Sequence, residues 1–175
     1  GQAALGANTT GANNTALGHN SLYYNTTGGS LTAIGQGALH RNTTASNNLA
    51  IGVGTGQYIT TGASNVCIGN SAGDAITTSV SNVIIGVGAG SAISTGSGEN
   101  VLIGNNAATA ATTAVGNIII GDNSAAGSAL TGSTNVFIGD NVAYNVTGAC
   151  DGNVVVGARA GGGLTTGDNC IFVGL

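Results

Sequence analysis

No proline, methionine, tryptophan or lysine occurs in this chain. Aromatic residues make up 3% of it and charged residues 5%, which excludes the thick mixed core of an ordinary globular domain. A thin core, layered like a ladder and filled with Ile, Val, Leu and Ala, remains open to it. With no Lys and a net charge of −4, the basic footprint of a nucleic-acid binder is missing. No apolar run approaches the roughly 20 residues of a membrane span, so we expect no membrane insertion. Without a proline hinge, a charge block or a linker, residues 1–175 read as a single domain. No signal peptide is visible. The chain opens inside a repeat, at Gln2-Ala3-Ala4-Leu5-Gly6, and closes inside one, at Ile171-Phe172-Val173-Gly174. Both ends read as cut from a longer repetitive protein or as built to stack on another copy.

What is present is glycine, 33 of them, and a five-residue motif of Asn, an apolar residue, a variable one, Ile and Gly. Its clearest copies end at Gly69, Gly86, Gly104 and Gly139, and after a first step of 12 the motif glycines recur every 17 or 18 residues. A near-constant period over the whole chain is the signature of a solenoid. A branched aliphatic in every copy counts against disorder. We therefore expect an all-β parallel β-solenoid of about ten coils, roughly 48 Å long at one strand spacing per coil.

Aligned on the motif Gly, the coils form columns. The residue one before Gly is always Leu, Ile or Val, and the residue three before becomes Val or Ile from Val66 onward. Alternation along a strand puts these two columns on one face, which we assign to the inside of the coil. The middle column, two before Gly, then points outward: Cys67, Ile84, Leu102, Ile119, Phe137, Val155 and Phe172, preceded by alanines. Such an apolar line needs a cover, either a neighbouring loop of the same chain or other copies of it. The latter is the favoured reading. Four before Gly stand Asn48, Asn65, Asn82, Asn100, Asn117, Asn135 and Asn153, whose stacked amides can hydrogen-bond along a ladder. The motif Gly marks a corner, where it admits backbone angles other residues resist.

The segment Asn14 to Thr44, with its Asn-Thr-Ala-Leu-Gly, Ala38-Leu39 and Asn-Thr-Thr units, resembles repeats of tail-fibre and related structural proteins of marine bacteriophages. The later coils, Asn-Val-x-Ile-Gly followed by a small residue and a Gly, are similar to head repeats of trimeric autotransporter adhesins, which use a shorter coil. The resemblance implies an extracellular or virion-surface homotrimeric fibre used for attachment. The C-terminal chaperone and membrane anchor of those families have no counterpart in these residues.

Candidate chemistry is thin, and we expect neither catalysis nor a cofactor. His19 and His40 read as loop histidines, and Gly52-Val53-Gly54-Thr55-Gly56 lacks the Lys and helix of a phosphate loop. Asp122 and Asp140 follow the motif Gly in adjacent coils beside Asn105, Asn123 and Asn141. They are weak Ca²⁺ candidates, weighed against solvated edge carboxylates that discourage aggregation. Asp151 and Asp168 form a similar pair. Cys67 reads as a small hydrophobe, and Cys150 and Cys170 as free thiols or a bridge across a corner. Tyr23, Tyr24, Tyr58 and Tyr144 lie five or six residues past the motif Gly, on loops where their faces suit a receptor glycan or plain packing. Sequons such as those at Asn25 and Asn42 fall out of the repeat.

The expected function is a structural fibre segment, viral tail fibre or adhesin, whose partners are copies of itself and a host glycan or receptor. One alternative is an extracellular filament stacked end to end. Another is an ice-binding solenoid, suggested by Thr26-Thr27, Thr43-Thr44, Thr60-Thr61, Thr77-Thr78, Thr112-Thr113 and Thr165-Thr166.

Overall fold

A computed structural model describes residues 1–96, 98–127 and 129–175. Ten three-residue strands form one parallel sheet in sequence order: β1 (Thr15–Leu17), β2 (Thr32–Ile34), β3 (Leu49–Ile51), β4 (Val66–Ile68), β5 (Val83–Ile85), β6 (Val101–Ile103), β7 (Ile118–Ile120), β8 (Val136–Ile138), β9 (Val154–Val156) and β10 (Ile171–Val173). Pairing is in register, so that Cys67 lies beside Ile84, Ile84 beside Leu102 and Ile119 beside Phe137. Each coil thus adds one strand, and the expected β-solenoid is the fold. Among the described residues there is no helix, hence none long and apolar enough to cross a membrane.

The facing of the strands is the reverse of the sequence expectation. The middle residue of each strand from β2 to β9 points inward: Ala33, Ala50, Cys67, Ile84, Ile119, Phe137 and Val155 are fully buried and Leu102 nearly so. In β10 the same residue, Phe172, is 40% exposed, with a neighbouring strand described on one side only. The flanking residues, Val66 and Ile68 and their equivalents, face outward and are half-buried by their column neighbours. Alternation tells which residues share a face, and it is silent on which face is inside when both are apolar.

The core is closed by the loop that follows each strand. Early coils set small strand centres, Ala33 and Ala50, against Leu22 and Leu39, all fully buried. Later coils set Cys67, Ile84 and Leu102 against Gly73 and Gly90. A Cβ on Gly73 would sit 3.0 Å from the Cys67 sulfur, and one on Gly90 would sit 2.9 Å from Leu102 Cδ1. The loop position is left-handed throughout, with φ of 49° at Leu39 and 58° at Gly73. Where the loop position becomes glycine beside a small strand centre, at Gly56 after Ala50, Ile59 fills the space instead, and a Cβ on Gly56 would sit 3.0 Å from its Cδ1.

The motif Gly turns the corner after each strand with φ near +135°, a region open to Gly alone. Its corner is also crowded: a Cβ on Gly69 would lie 2.5 Å from the Gly86 carbonyl oxygen of the next coil. We expect Gly69→Ala to cost about 3 kcal/mol through combined strain and clash. A chemical-denaturation curve superimposed on that of the unmodified chain would overturn this.

Candidate functional site

The outward side of the sheet is two side chains wide. From β3 to β10 every outward residue is Leu, Ile or Val, in pairs such as Val83 and Ile85, Val101 and Ile103, Ile118 and Ile120. No charged residue interrupts it. Exposure reaches 39% at Ile118 and 37% at Ile138 even with neighbours stacked above and below. The β-branched shapes favour an extended backbone and pack into regular files. The residues expected to form an outward interface, Cys67, Ile84, Leu102, Ile119, Phe137 and Val155, are instead core. The face is formed by the two columns read as core.

The Asn column forms the expected ladder, on the inside. Asn65 donates its backbone N–H and its Nδ2 to Asn48 Oδ1, at 2.8 and 3.3 Å. Asn82 does the same to Asn65, Asn100 to Asn82, Asn117 to Asn100, Asn135 to Asn117 and Asn153 to Asn135. Each amide also ties down a turn carbonyl, as Asn48 Nδ2 does with Gly62 O at 2.8 Å. Leu31 occupies this column between Asn14 and Asn48, and the side-chain chain is broken there. These amides are all but fully buried and serve the scaffold.

A second amide ladder was not recognised from the sequence. Asn25 Nδ2 donates to Asn8 Oδ1 at 2.6 Å and Asn42 Nδ2 to Asn25 Oδ1 at 2.7 Å. It stops at Asn42, whose Oδ1 has no partner, because Ile59 takes the place in the next coil where another amide would donate. Burial of Asn25 and Asn42 removes those two sequons as glycosylation positions in the folded chain. The three Asn-Thr pairs at one coil spacing were the available signal.

The tyrosines separate into a cluster and an outlier. Tyr23 and Tyr24 meet edge to face at 4.8 Å, and the His40 ring stacks on Tyr23 at 5.7 Å. His40 is thus half-buried rather than an exposed loop residue, and its Nδ1 lies 3.0 Å from the Asn20 carbonyl oxygen. The Arg41 guanidinium lies over the Tyr58 ring at 5.0 Å. Tyr144 stands apart, packed over Gly127.

The carboxylates and thiols have local duties. Asp122 and Asp140 are exposed, and Asp122 accepts from Asn123 Nδ2 at 3.1 Å. Asp151 accepts the Ser133 N–H at 2.7 Å, and Asp168 accepts the Asp151 N–H at 2.8 Å. Among the described residues no three His, Cys, Asp or Glu side chains gather as a metal site would require. All three cysteines are free. Burial pushes the Cys67 thiol up to about 12, which leaves it protonated and unreactive at neutral pH. Cys150 is also raised, by burial first and then by Asp168 and Asp151, and its Sγ bonds the Thr165 carbonyl at 3.0 Å.

No family model matches the chain, and neither the curated proteins nor the solved structures contain a match to it.

Proposed function

We propose that the chain is a structural segment of an attachment fibre, of the tail-fibre or adhesin kind, working outside the cell or on a virion. Its copies associate as a homotrimer through the outward face of the sheet. The observation that carries this reading is the uninterrupted, uncharged double file of branched aliphatics from β3 to β10. Each of its half-buried side chains has roughly 1 kcal/mol left to gain on being covered. Over eight strands that amounts to a gross gain on the order of 15 kcal/mol, enough to offset an association cost of about 4–15 kcal/mol only if the face is covered nearly whole. Identical faces share one repeat distance, so side chains of one copy fit between those of another. The mechanism is mechanical: in-register ladders make a stiff rod, and the loops on its other sides stay free for contact with a host surface.

Light scattering after gel filtration tests this. A trimer is the expected mass, and a sharp monomer at micromolar concentration overturns the reading.

A second reading is an end-to-end filament. A coil from a second copy would continue the same register, and open-ended polymers would favour it. Ice binding has less support. The first Thr of each early pair donates its hydroxyl to the next coil, as Thr26 does to the Thr43 carbonyl at 2.9 Å. The second Thr of those pairs, Thr27, Thr44, Thr61 and Thr78, is left exposed, in single file.

A further inference from the structure

Aromatic and basic side chains are scarce here: four Tyr, two Phe, two His and two Arg. Three of the tyrosines, one His and one Arg nevertheless share one patch. Two adjacent loop columns carry Tyr23 and Tyr24, then His40 and Arg41, then Gln57 and Tyr58 in three consecutive coils. At one strand spacing per coil the array is about 10 Å tall. Its backbone is knitted between coils, with the Tyr24 N–H donating to the His40 carbonyl at 3.1 Å and the Arg41 N–H to the Gln57 carbonyl at 3.0 Å. The side chains hold one another as well. Tyr24 lies edge-on to His40 at 5.1 Å, and Arg41 lies over Tyr58.

The fold does not require these groups. The next coils place Ala75, Ala92 and Ala110 where Tyr24, Arg41 and Tyr58 stand, with the same strand register. Tyr24 and Tyr58 remain 49% and 41% exposed. Arg41 stands between them in the same column, with its guanidinium over one face of the Tyr58 ring. Asp74 lies in the neighbouring column, in register with His40 and two coils on from it. A ring face suits the apolar face of a sugar ring, and a guanidinium fork suits a carboxylate.

We infer that this array is a binding site for an acidic saccharide, whose ring lies against Tyr24 or Tyr58 while its carboxylate takes the Arg41 fork. His40 Nδ1, facing the Asn20 carbonyl, carries the proton, which leaves Nε2 as the ring's acceptor for a sugar hydroxyl. Asp74 bounds the array beyond Tyr58 and repels an anion from that side. The inference rests on the attachment reading and adds its ligand class; it does not depend on the association face.

The chain has no Trp, so its emission comes from tyrosine, and three of its four tyrosines lie in the array. Titration with 3′-sialyllactose and with trigalacturonate, followed by tyrosine fluorescence, is expected to saturate with at least one of them. Lactose and maltotriose, the neutral comparisons, are expected to bind at least about tenfold more weakly. Arg41→Gln should remove about tenfold of the acidic affinity and leave the neutral affinity unchanged. Asp74→Asn should tighten only the acidic probe, and Tyr144→Ala should change neither. No saturation with either acidic probe overturns the site, as does an acidic preference that survives Arg41→Gln. Sedimentation of the same samples reads the association face separately: lost saccharide binding in an intact trimer overturns this site alone, and a monomer that still binds overturns only the assembly.

Discussion

Ile84→Lys is expected to unfold the chain under conditions in which Ile85→Lys remains fully folded. The two residues are neighbours in β5 and identical in type, and they differ only in the side of the sheet they face. Ile84 is fully buried between Cys67 and Leu102, with no carboxylate to pair an ammonium. An unpaired charge placed there costs more than about 4 kcal/mol, a large share of the stability of a domain this size. Lys at position 85 can run its stem along the outward file and hold its head in water, at a cost within about 1 kcal/mol. The outward variant should still lose self-association, because one charge per copy interrupts the apolar face. Circular dichroism melting combined with light scattering reads both effects. Unfolding of Ile85→Lys with a stable Ile84→Lys would mean that the facing of the sheet described above is wrong.

The second large effect is expected at Asn100, in the middle of the long amide ladder. Its Nδ2 donates to Asn82 Oδ1 at 3.0 Å and to Ala114 O at 2.9 Å, while its Oδ1 accepts the Asn117 N–H at 3.0 Å. Leu has nearly the same shape and none of these bonds. Asn100→Leu leaves the Ala114 carbonyl and the Asn117 N–H buried without a partner, at roughly 1–3 kcal/mol for each orphaned group. The expected total exceeds about 3 kcal/mol, and since the lost contacts couple two neighbouring coils, unfolding should lose cooperativity as well. Equilibrium denaturation followed at two probes tests this: an unchanged midpoint would show that the amides contribute little. The natural break at Leu31 bears on the same point. There the ladder is interrupted in a coil whose strand centre is Ala33, and Leu31 itself fills the core.

The columns themselves were legible because a solenoid turns sequence separation into spatial contact. A period of 17 or 18 residues sets which residues stack, and parallel in-register pairing follows from it, as do the Asn ladder and the Gly corners. The cluster of Tyr23, Tyr24, His40, Arg41 and Tyr58 was half legible. The positions of the tyrosines in the loop columns were plain, whereas the packing of His40 against them and the seat of Arg41 over Tyr58 depend on side-chain directions that spacing does not carry.

What the sequence alone determined was the period, the number of strands and their order. Which face is inside was decided only by the tertiary structure. A strand of three residues, apolar on both sides, has no polar side to point at water, so alternation leaves two equivalent choices. Core volume breaks the tie. Leu22 and Leu39 accompany the small strand centres Ala33 and Ala50, and glycines accompany Cys67, Ile84 and Leu102. At Gly56, in the coil of Ala50, Ile59 fills the space instead, because a closed core has to be filled from whichever column can reach it. The outward columns, from Val66 and Ile68 to Val154 and Val156, stay only half-buried.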